Sequence, residues 1–204
     1  MTLVARERPI LFSGSMVRAI LEGRKTQTRR VVKGSDRFPL IQNFRPWIVD
    51  GEQQSRDSGI PLWISRSSIG LCQEWGCPFG KPRDRLWIRE TFFAYGENLI
   101  HYKADQDTDI ALLAKESGLW NSPLRMPRWA SRLTLEICSV RVERVQDISE
   151  DDAKAEGIVR AVLSNTRTHA PTAKGAFEDL WDGINQKRGY GWNSNPWVWV
   201  IEFR

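Results

Sequence analysis

The sequence predicts an α+β fold in one domain, residues 1–204, that carries a long irregular insertion at approximately 34–83. Three observations predict it. Alternating or continuously apolar segments at 84–90, 132–145 and 197–203 are typical of strands. Apolar residues at helical spacing are confined to a few short stretches. Five prolines and scattered glycines interrupt the apolar runs of the insertion, where we expect a long loop that contains a hairpin.

The first predicted helix follows a strand-like run at 9–12. Ser13 or Ser15 can cap its free amides, and Gly23 is a natural end. Its apolar face consists of Met16, Val17, Ile20 and Leu21. The segment that follows, 24–30, is polar and densely cationic.

Two further helices are predicted in the C-terminal half. One covers 150–156, with Ser149 as its N-cap and Gly157 as its end. Another covers 173–184, and we expect it to bury Phe177, Leu180, Trp181 and Ile184. A weaker pattern predicts a short helix at 109–118.

The predicted strand at 132–145 changes phase along its length. Its apolar residues occupy one face and then the other: Leu133, Leu135 and Ile137, followed by Val140 and Val142. Such a switch indicates a β-bulge or a barrel corner. The run at 197–203 is apolar on both faces, which is typical of a central strand.

Composition excludes several classes of protein. With 41% hydrophobic and 27% charged residues, the chain is not a disordered tail, and it has no apolar run of membrane-spanning length. The N-terminal residues do not resemble a secretory signal, so we expect a cytoplasmic protein that does not bind membranes. The net charge of +5 favours a polyanionic partner without requiring one.

The cysteines offer only a weak metal signal. Cys72 and Cys77 lack a second close pair, so a zinc site would need Cys138 together with the distant His101 or His169. Three cysteines also cannot form a disulfide framework. We therefore expect reduced thiols, no metal and no cofactor.

Lys25 and Thr28 are the first candidates for chemistry. If the chain turns after Gly23, the amine and the hydroxyl lie on one side of the turn. A lysine whose pKa is lowered by burial or by nearby cations can take the proton of a threonine hydroxyl and make it a nucleophile. Arg24, Arg29 and Arg30 supply such cations and can stabilise an oxyanion. The alternative is a solvated basic segment after a helix.

Two other features stand out. Glu156 lies in the last turn of its predicted helix, where the macrodipole disfavours a carboxylate. This position suits a general acid. The alternative is an ordinary exposed glutamate, for which the energetic cost is small. The cluster at 125–132 combines cations with Trp129 ahead of a strand. It can contact phosphates and stack a base, or form a solvated loop. Most of the ten tryptophans are expected in the core.

Four segments together resemble the ASCH domains of the PUA-like superfamily, including larger members common in phages and prophages. The segment 20–30 resembles their signature helix end, 84–90 their central strand, 142–158 a strand with its following helix, and 197–203 the last barrel strand. In place of the family's glycine turn, this chain has Pro-Arg-Asp before the central strand. The resemblance covers about half of the chain.

The resemblance implies a small β-barrel with flanking helices and a cleft that binds RNA or a nucleoside. Compact bacterial members are N(4)-acetylcytidine amidohydrolases that use a lysine, a threonine and a glutamate. By motif, these residues fall on Lys25, Thr28 and Glu156. The implied partner is a modified nucleoside or RNA.

In the implied mechanism, Lys25 accepts the proton of Thr28, which attacks the amide carbonyl, and Glu156 donates a proton to the departing amine. Substrate contacts are expected from Arg24, Arg30, Glu90, Trp129 and Arg132. Arg24 or Arg30 would hold the oxyanion, and Glu90 is a second-choice carboxylate. The alternatives are a non-catalytic RNA-binding ASCH module and a ribonuclease.

Overall fold

A computed structural model describes residues 5–34, 72–95, 99–105, 118–158 and 172–204, together with the strands that lie between 41 and 67. It is an α+β fold with a mixed sheet and few helices. The described strands are, in chain order, β1 Glu7–Leu11, β2 Gln27–Val31, β3 Ile41–Pro46, β4 Ile48–Val49, β5 Glu52–Gln53, β6 Leu62–Ser67, β7 Cys72–Gly76, β8 Arg85–Arg89, β9 Phe92–Tyr95, β10 Leu99–Tyr102, β11 Thr134–Arg144 and β12 Trp197–Phe203. The described helices are α1 Gly14–Leu21, α2 Glu150–Ala155 and α3 Ala173–Asn185. The expected helix at 109–118 lies outside the described residues, apart from its last position.

The central sheet has five strands in the order β1-β8-β11-β12-β2. The pair β1 and β8 is parallel, and the other neighbours are antiparallel. In the part of the chain that the structure describes, no backbone pairing joins β1 to β2, and these two strands lie at the ends of the strand order. Strand β2, which carries the candidate residue Thr28, is therefore an edge strand.

The predicted phase switch in β11 corresponds to a bulge. The register of β11 against β12 shifts between Ile137 and Ser139. Strand β11 pairs with β8 from Thr134 to Glu136 and with β12 from Ile137 to Arg144, so the bulge lies close to the point where pairing with β8 ends. The extra residue turns the strand as it passes from one neighbour to the next, which explains why its apolar face changes.

Strand β12 separates two hydrophobic clusters, as its apolar sequence predicted. Val198 and Val200 belong to the cluster beneath α3. Trp199, Ile201 and Phe203 belong to the cluster beneath α1. Because successive side chains of a strand point to opposite faces, a strand covered on both sides must be apolar throughout.

The segment 34–83 contains more regular structure than we expected. Strands β3, β6 and β7 form an antiparallel sheet, and β4 pairs with β5 in a separate hairpin. The prolines do not prevent this, because Pro46 ends β3, Pro61 precedes β6 and Pro78 follows β7. At strand ends proline removes no ladder hydrogen bond. The expected hairpin is present as β4 and β5, but the expectation that the rest of the insertion is irregular is wrong.

Two cysteines differ sharply in their surroundings. Cys77 is buried, and burial raises the pKa of its thiol to about 11, whereas Cys138 is exposed. Because the thiolate is the reactive form, we expect iodoacetamide at pH 8 to alkylate Cys138 in the native protein and to spare Cys77. Peptide mass mapping before and after unfolding checks this. Equal labelling of both thiols in the native protein would contradict the buried position of Cys77.

Among the described residues, no helix is both long enough and apolar enough to cross a membrane.

Candidate active site

A turn after α1 positions Lys25. The helix begins at the N-cap Ser13 and ends where Gly23 adopts a positive φ of 71°. The backbone N–H groups of Arg24 and Lys25 then both donate to the carbonyl of Ala19, at 2.8 and 2.9 Å. The chain therefore reverses after Gly23 and enters β2 at Gln27, two residues after Lys25.

The end of α2 positions Glu156. Ser149 caps the helix by accepting a hydrogen bond from the Asp152 N–H at 3.0 Å, and Glu156 is the C-cap. Gly157 has a φ of 84°, and a Cβ there would lie 2.8 Å from the Cβ of Ala19. Glycine is required both for this conformation and for the close approach of the helix end to the α1 turn.

Lys25 and Glu156 form a buried ion pair. The Lys25 Nζ donates to the Glu156 Oε2 at 2.7 Å, to the Glu156 carbonyl at 2.9 Å and to the Gln27 carbonyl at 2.8 Å. Only 2% of Lys25 and 6% of Glu156 are exposed. Burial lowers the pKa of Lys25, and the carboxylate of Glu156 opposes this change.

Arg29 holds the second oxygen of Glu156. Its Nη1 lies 3.3 Å from the Glu156 Oε1, and its Nη2 lies 2.5 Å from the Glu143 Oε1 and 3.1 Å from the Asp152 Oδ2. Gln27 donates to the same Asp152. The sequence identified Arg29 only as a nearby cation, because Glu143 and Asp152 lie more than 100 residues away along the chain.

A cavity of about 510 Å³ extends along β2 and is lined by the consecutive residues 28–33. Thr28 and Glu156 both line this cavity. Aromatic side chains form much of its wall: Trp75, Phe79, Phe177, Trp181, Tyr190 and Trp199. Ile184 also lines it and is 40% exposed, so the expectation that α3 buries this residue in the core is wrong.

The structure brings Lys25 to Glu156 rather than directly to Thr28. The three hydrogen bonds of the Lys25 amine go to Glu156 and to Gln27, the residue before Thr28 in β2. No described residue makes a hydrogen bond with the Thr28 hydroxyl. Proton transfer between Lys25 and Thr28 therefore stays a prediction, while the pairing of Lys25 with Glu156 is direct.

Of the expected substrate contacts, Arg30 lines the cavity. Its Nη2 donates to the Leu11 carbonyl at 2.6 Å, and its guanidinium lies 5.1 Å from the ring centroid of Phe12. Burial lowers the pKa of Arg30. Its buried Nε has no hydrogen-bond acceptor within the described part of the chain. Arg30 lies two positions after Thr28 on β2, and an unsatisfied donor there can serve an anion that forms in the cavity.

The other expected contacts are not among the residues that line this cavity. Arg24 pairs with Glu22 and donates to the Gly157 carbonyl at 3.1 Å. Trp129 is 64% exposed and lies within the short helical turn Arg128–Ala130 that precedes β11.

Glu90 and Arg132 instead bind each other. The Arg132 guanidinium donates to both oxygens of Glu90, at 2.9 and 3.1 Å, and also pairs with Asp105. Burial raises the pKa of Glu90, and Arg132 opposes this change. The donors of Arg132 are thus engaged by two carboxylates, and the geometry gives this pair a structural role rather than a place in the cavity.

Comparisons with protein-family models, curated proteins and solved structures found no match to this chain. Within the described ranges, no group of three or more His, Cys, Asp or Glu residues is placed to hold a metal ion.

Proposed function

We propose that this chain is an amidohydrolase that removes an acyl group from the exocyclic amine of an N(4)-acylated cytidine. Thr28 is the nucleophile, and the pair of Lys25 and Glu156 carries the proton. One observation supports this most directly. Thr28 and Glu156 line the same cavity, and the Lys25 amine donates to the Glu156 carboxylate at 2.7 Å.

The reaction proceeds through an acyl-enzyme. The Thr28 oxygen attacks the amide carbonyl carbon while its proton passes to the Lys25–Glu156 pair. Arg30 stabilises the resulting oxyanion with its unsatisfied Nε. The C–N bond then breaks, the pair returns the proton to the departing amine, and cytidine leaves. Water hydrolyses the remaining ester to release the carboxylic acid and restore Thr28.

The cavity suits a pyrimidine nucleoside. Its volume of about 510 Å³ lies in the range of pockets for small ligands. Aromatic rings such as those of Trp75, Trp181 and Tyr190 offer flat surfaces on which a base can stack.

We also propose that the central sheet is the PUA-like barrel of an ASCH domain. The bulge in β11 supports this proposal, since bulges bend strands at barrel corners. A hydrogen bond from Arg30 on β2 to the Leu11 carbonyl on β1 supports it as well, because it connects the two edge strands.

A non-catalytic RNA-binding module is the second candidate, and one observation favours it. The three acceptors around the Lys25 amine match the three N–H bonds of a protonated lysine. In that state the amine has no lone pair with which to accept the proton of Thr28. Catalysis therefore requires that the protonation state of Lys25 or Glu156 change during the reaction.

Hydrolysis of N(4)-acetylcytidine, followed by its ultraviolet absorbance, tests the proposal. We expect turnover that rises with pH, because the base must be unprotonated. Since burial lowers the pKa of Lys25, the rise should be centred below the ordinary lysine value of about 10.4. The rate should depend little on salt. No turnover, together with RNA binding that weakens steeply with salt, would favour the binding module.

A further inference from the structure

The cavity contains more positive charge than its acidic groups balance. Glu156 is the only acidic residue among the described residues that line it, and this carboxylate already binds Lys25 and Arg29. Three further cations line the same cavity: Arg30, Lys33 and Arg188. Glu156 lies within electrostatic reach of Arg30, but a neutral nucleoside would bring no counter-charge to Lys33 or Arg188.

Arg188 and Lys33 reach the cavity from separate elements. Arg188 ends the single helical turn Gln186–Arg188 that follows α3, and Lys33 lies just after β2. Both side chains are exposed, and neither forms an ion pair with any described residue. Burial lowers the pKa of Arg30, the Glu156 carboxylate opposes this change, and the positive charge of Arg188 adds to it, so the two guanidinium groups lie within electrostatic reach of each other.

Two exposed arginines elsewhere in the described chain, Arg128 and Arg204, have acidic partners. Arg128 pairs with Glu7 at 2.8 Å, and Arg204 pairs with Glu136 at 3.1 Å. Arg30, Lys33 and Arg188 instead line one cavity together, where Glu156 is the single carboxylate among the described residues. An anionic ligand group would remove their mutual repulsion, and guanidinium binds phosphate oxygens with two parallel hydrogen bonds.

We propose that the ligand of this cavity carries a phosphate, bound by Arg188 and Lys33, so that the substrate is a phosphorylated cytidine rather than the free nucleoside. This rests on the proposed function for the identity of the base. The phosphate is either the 5′-monophosphate of a free nucleotide or a phosphodiester of RNA, and both present the same oxygens to Arg188.

Binding measurements that require no turnover test this inference. Calorimetry compares cytidine with cytidine 5′-monophosphate on the wild-type protein, Arg188→Gln and Lys187→Gln. Lys187 is a matched control, because it lies in the same turn, is exposed and is not among the residues that line the cavity. We expect the wild type to bind the monophosphate about tenfold more tightly than cytidine. Arg188→Gln should reduce this preference, and Lys187→Gln should retain it.

The outcomes separate this inference from the proposed function. Equal affinity of the wild type for cytidine and its monophosphate, with no tighter binding of a short cytidine-containing RNA, would overturn it. Tighter binding of the RNA than of the monophosphate would support it and assign the phosphate to a phosphodiester. A failure to hydrolyse any acetylated substrate would refute the amidohydrolase and leave the binding preference intact.

Discussion

Glu156→Gln is expected to lower the free energy of unfolding by about 3 kcal/mol, because it leaves the Lys25 amine buried without a counter-charge. The same change removes the charge that faces the Arg29 Nη1. The substitution keeps the shape of the side chain, so the loss reports charge rather than packing. Urea unfolding, followed by circular dichroism, measures it.

The loss of stability caused by Glu156→Gln should shrink as pH rises. Without the carboxylate, the charge that opposes the effect of burial is lost, so the pKa of Lys25 in the folded protein falls further below its ordinary value. The folded state then binds fewer protons than the unfolded state, so stability increases with pH up to the ordinary lysine value of about 10.4. Measurements at pH 7 and pH 9.5 should therefore show a smaller deficit at the higher pH.

Glu22→Gln is the matched control for this prediction. Glu22 also pairs with a cation, Arg24, but both side chains are largely exposed, and exposed pairs contribute little to stability. We expect Glu22→Gln to have the same free energy of unfolding as the wild type. If Glu156→Gln were as stable as Glu22→Gln, the buried pair would have no energetic role.

The sequence predicted those parts of the fold that follow from local patterns. The apolar run of β12 indicated a strand buried on both faces, and the phase switch within 132–145 indicated the bulge of β11. Ser149 and Gly157 marked the ends of α2. Each of these features depends on residues that are close together in the chain, so the spacing of those residues is enough to predict the feature.

Features that depend on distant partners could not be predicted in this way. Lys25 and Glu156 are 131 positions apart, and no spacing rule connects them. They were placed together only by the resemblance to a family. No spacing rule connects Arg29 to its partners either, because these carboxylates come from β11 and α2.

Exposed and buried positions on one helix were also hard to separate from sequence. The helical spacing of Phe177, Trp181 and Ile184 predicted a single buried face for α3. The first two are buried, but Ile184 faces the open cavity. An apolar residue that lines a ligand cavity has the same periodicity as one that packs in the core, so the pattern cannot distinguish them.

Thr28→Val is expected to reduce the hydrolysis of acetylated cytidine on the order of a thousandfold or more, because it removes the attacking oxygen. The side chains are nearly the same size, and no described residue makes a hydrogen bond with the Thr28 hydroxyl. The fold and the binding of cytidine 5′-monophosphate should therefore be retained. Single-turnover hydrolysis, followed by absorbance, measures the loss.

Two companion variants make this result specific. Thr26→Val removes an exposed hydroxyl two residues away, outside the residues that line the cavity, and should retain wild-type turnover. Thr28→Ser keeps an oxygen at the same position and should retain most of the activity. Turnover of Thr28→Val close to that of Thr26→Val would show that the carbonyl is attacked by another group, such as a water activated by Glu156. The cavity and its cations would then bind the substrate, and Thr28 would only line the wall.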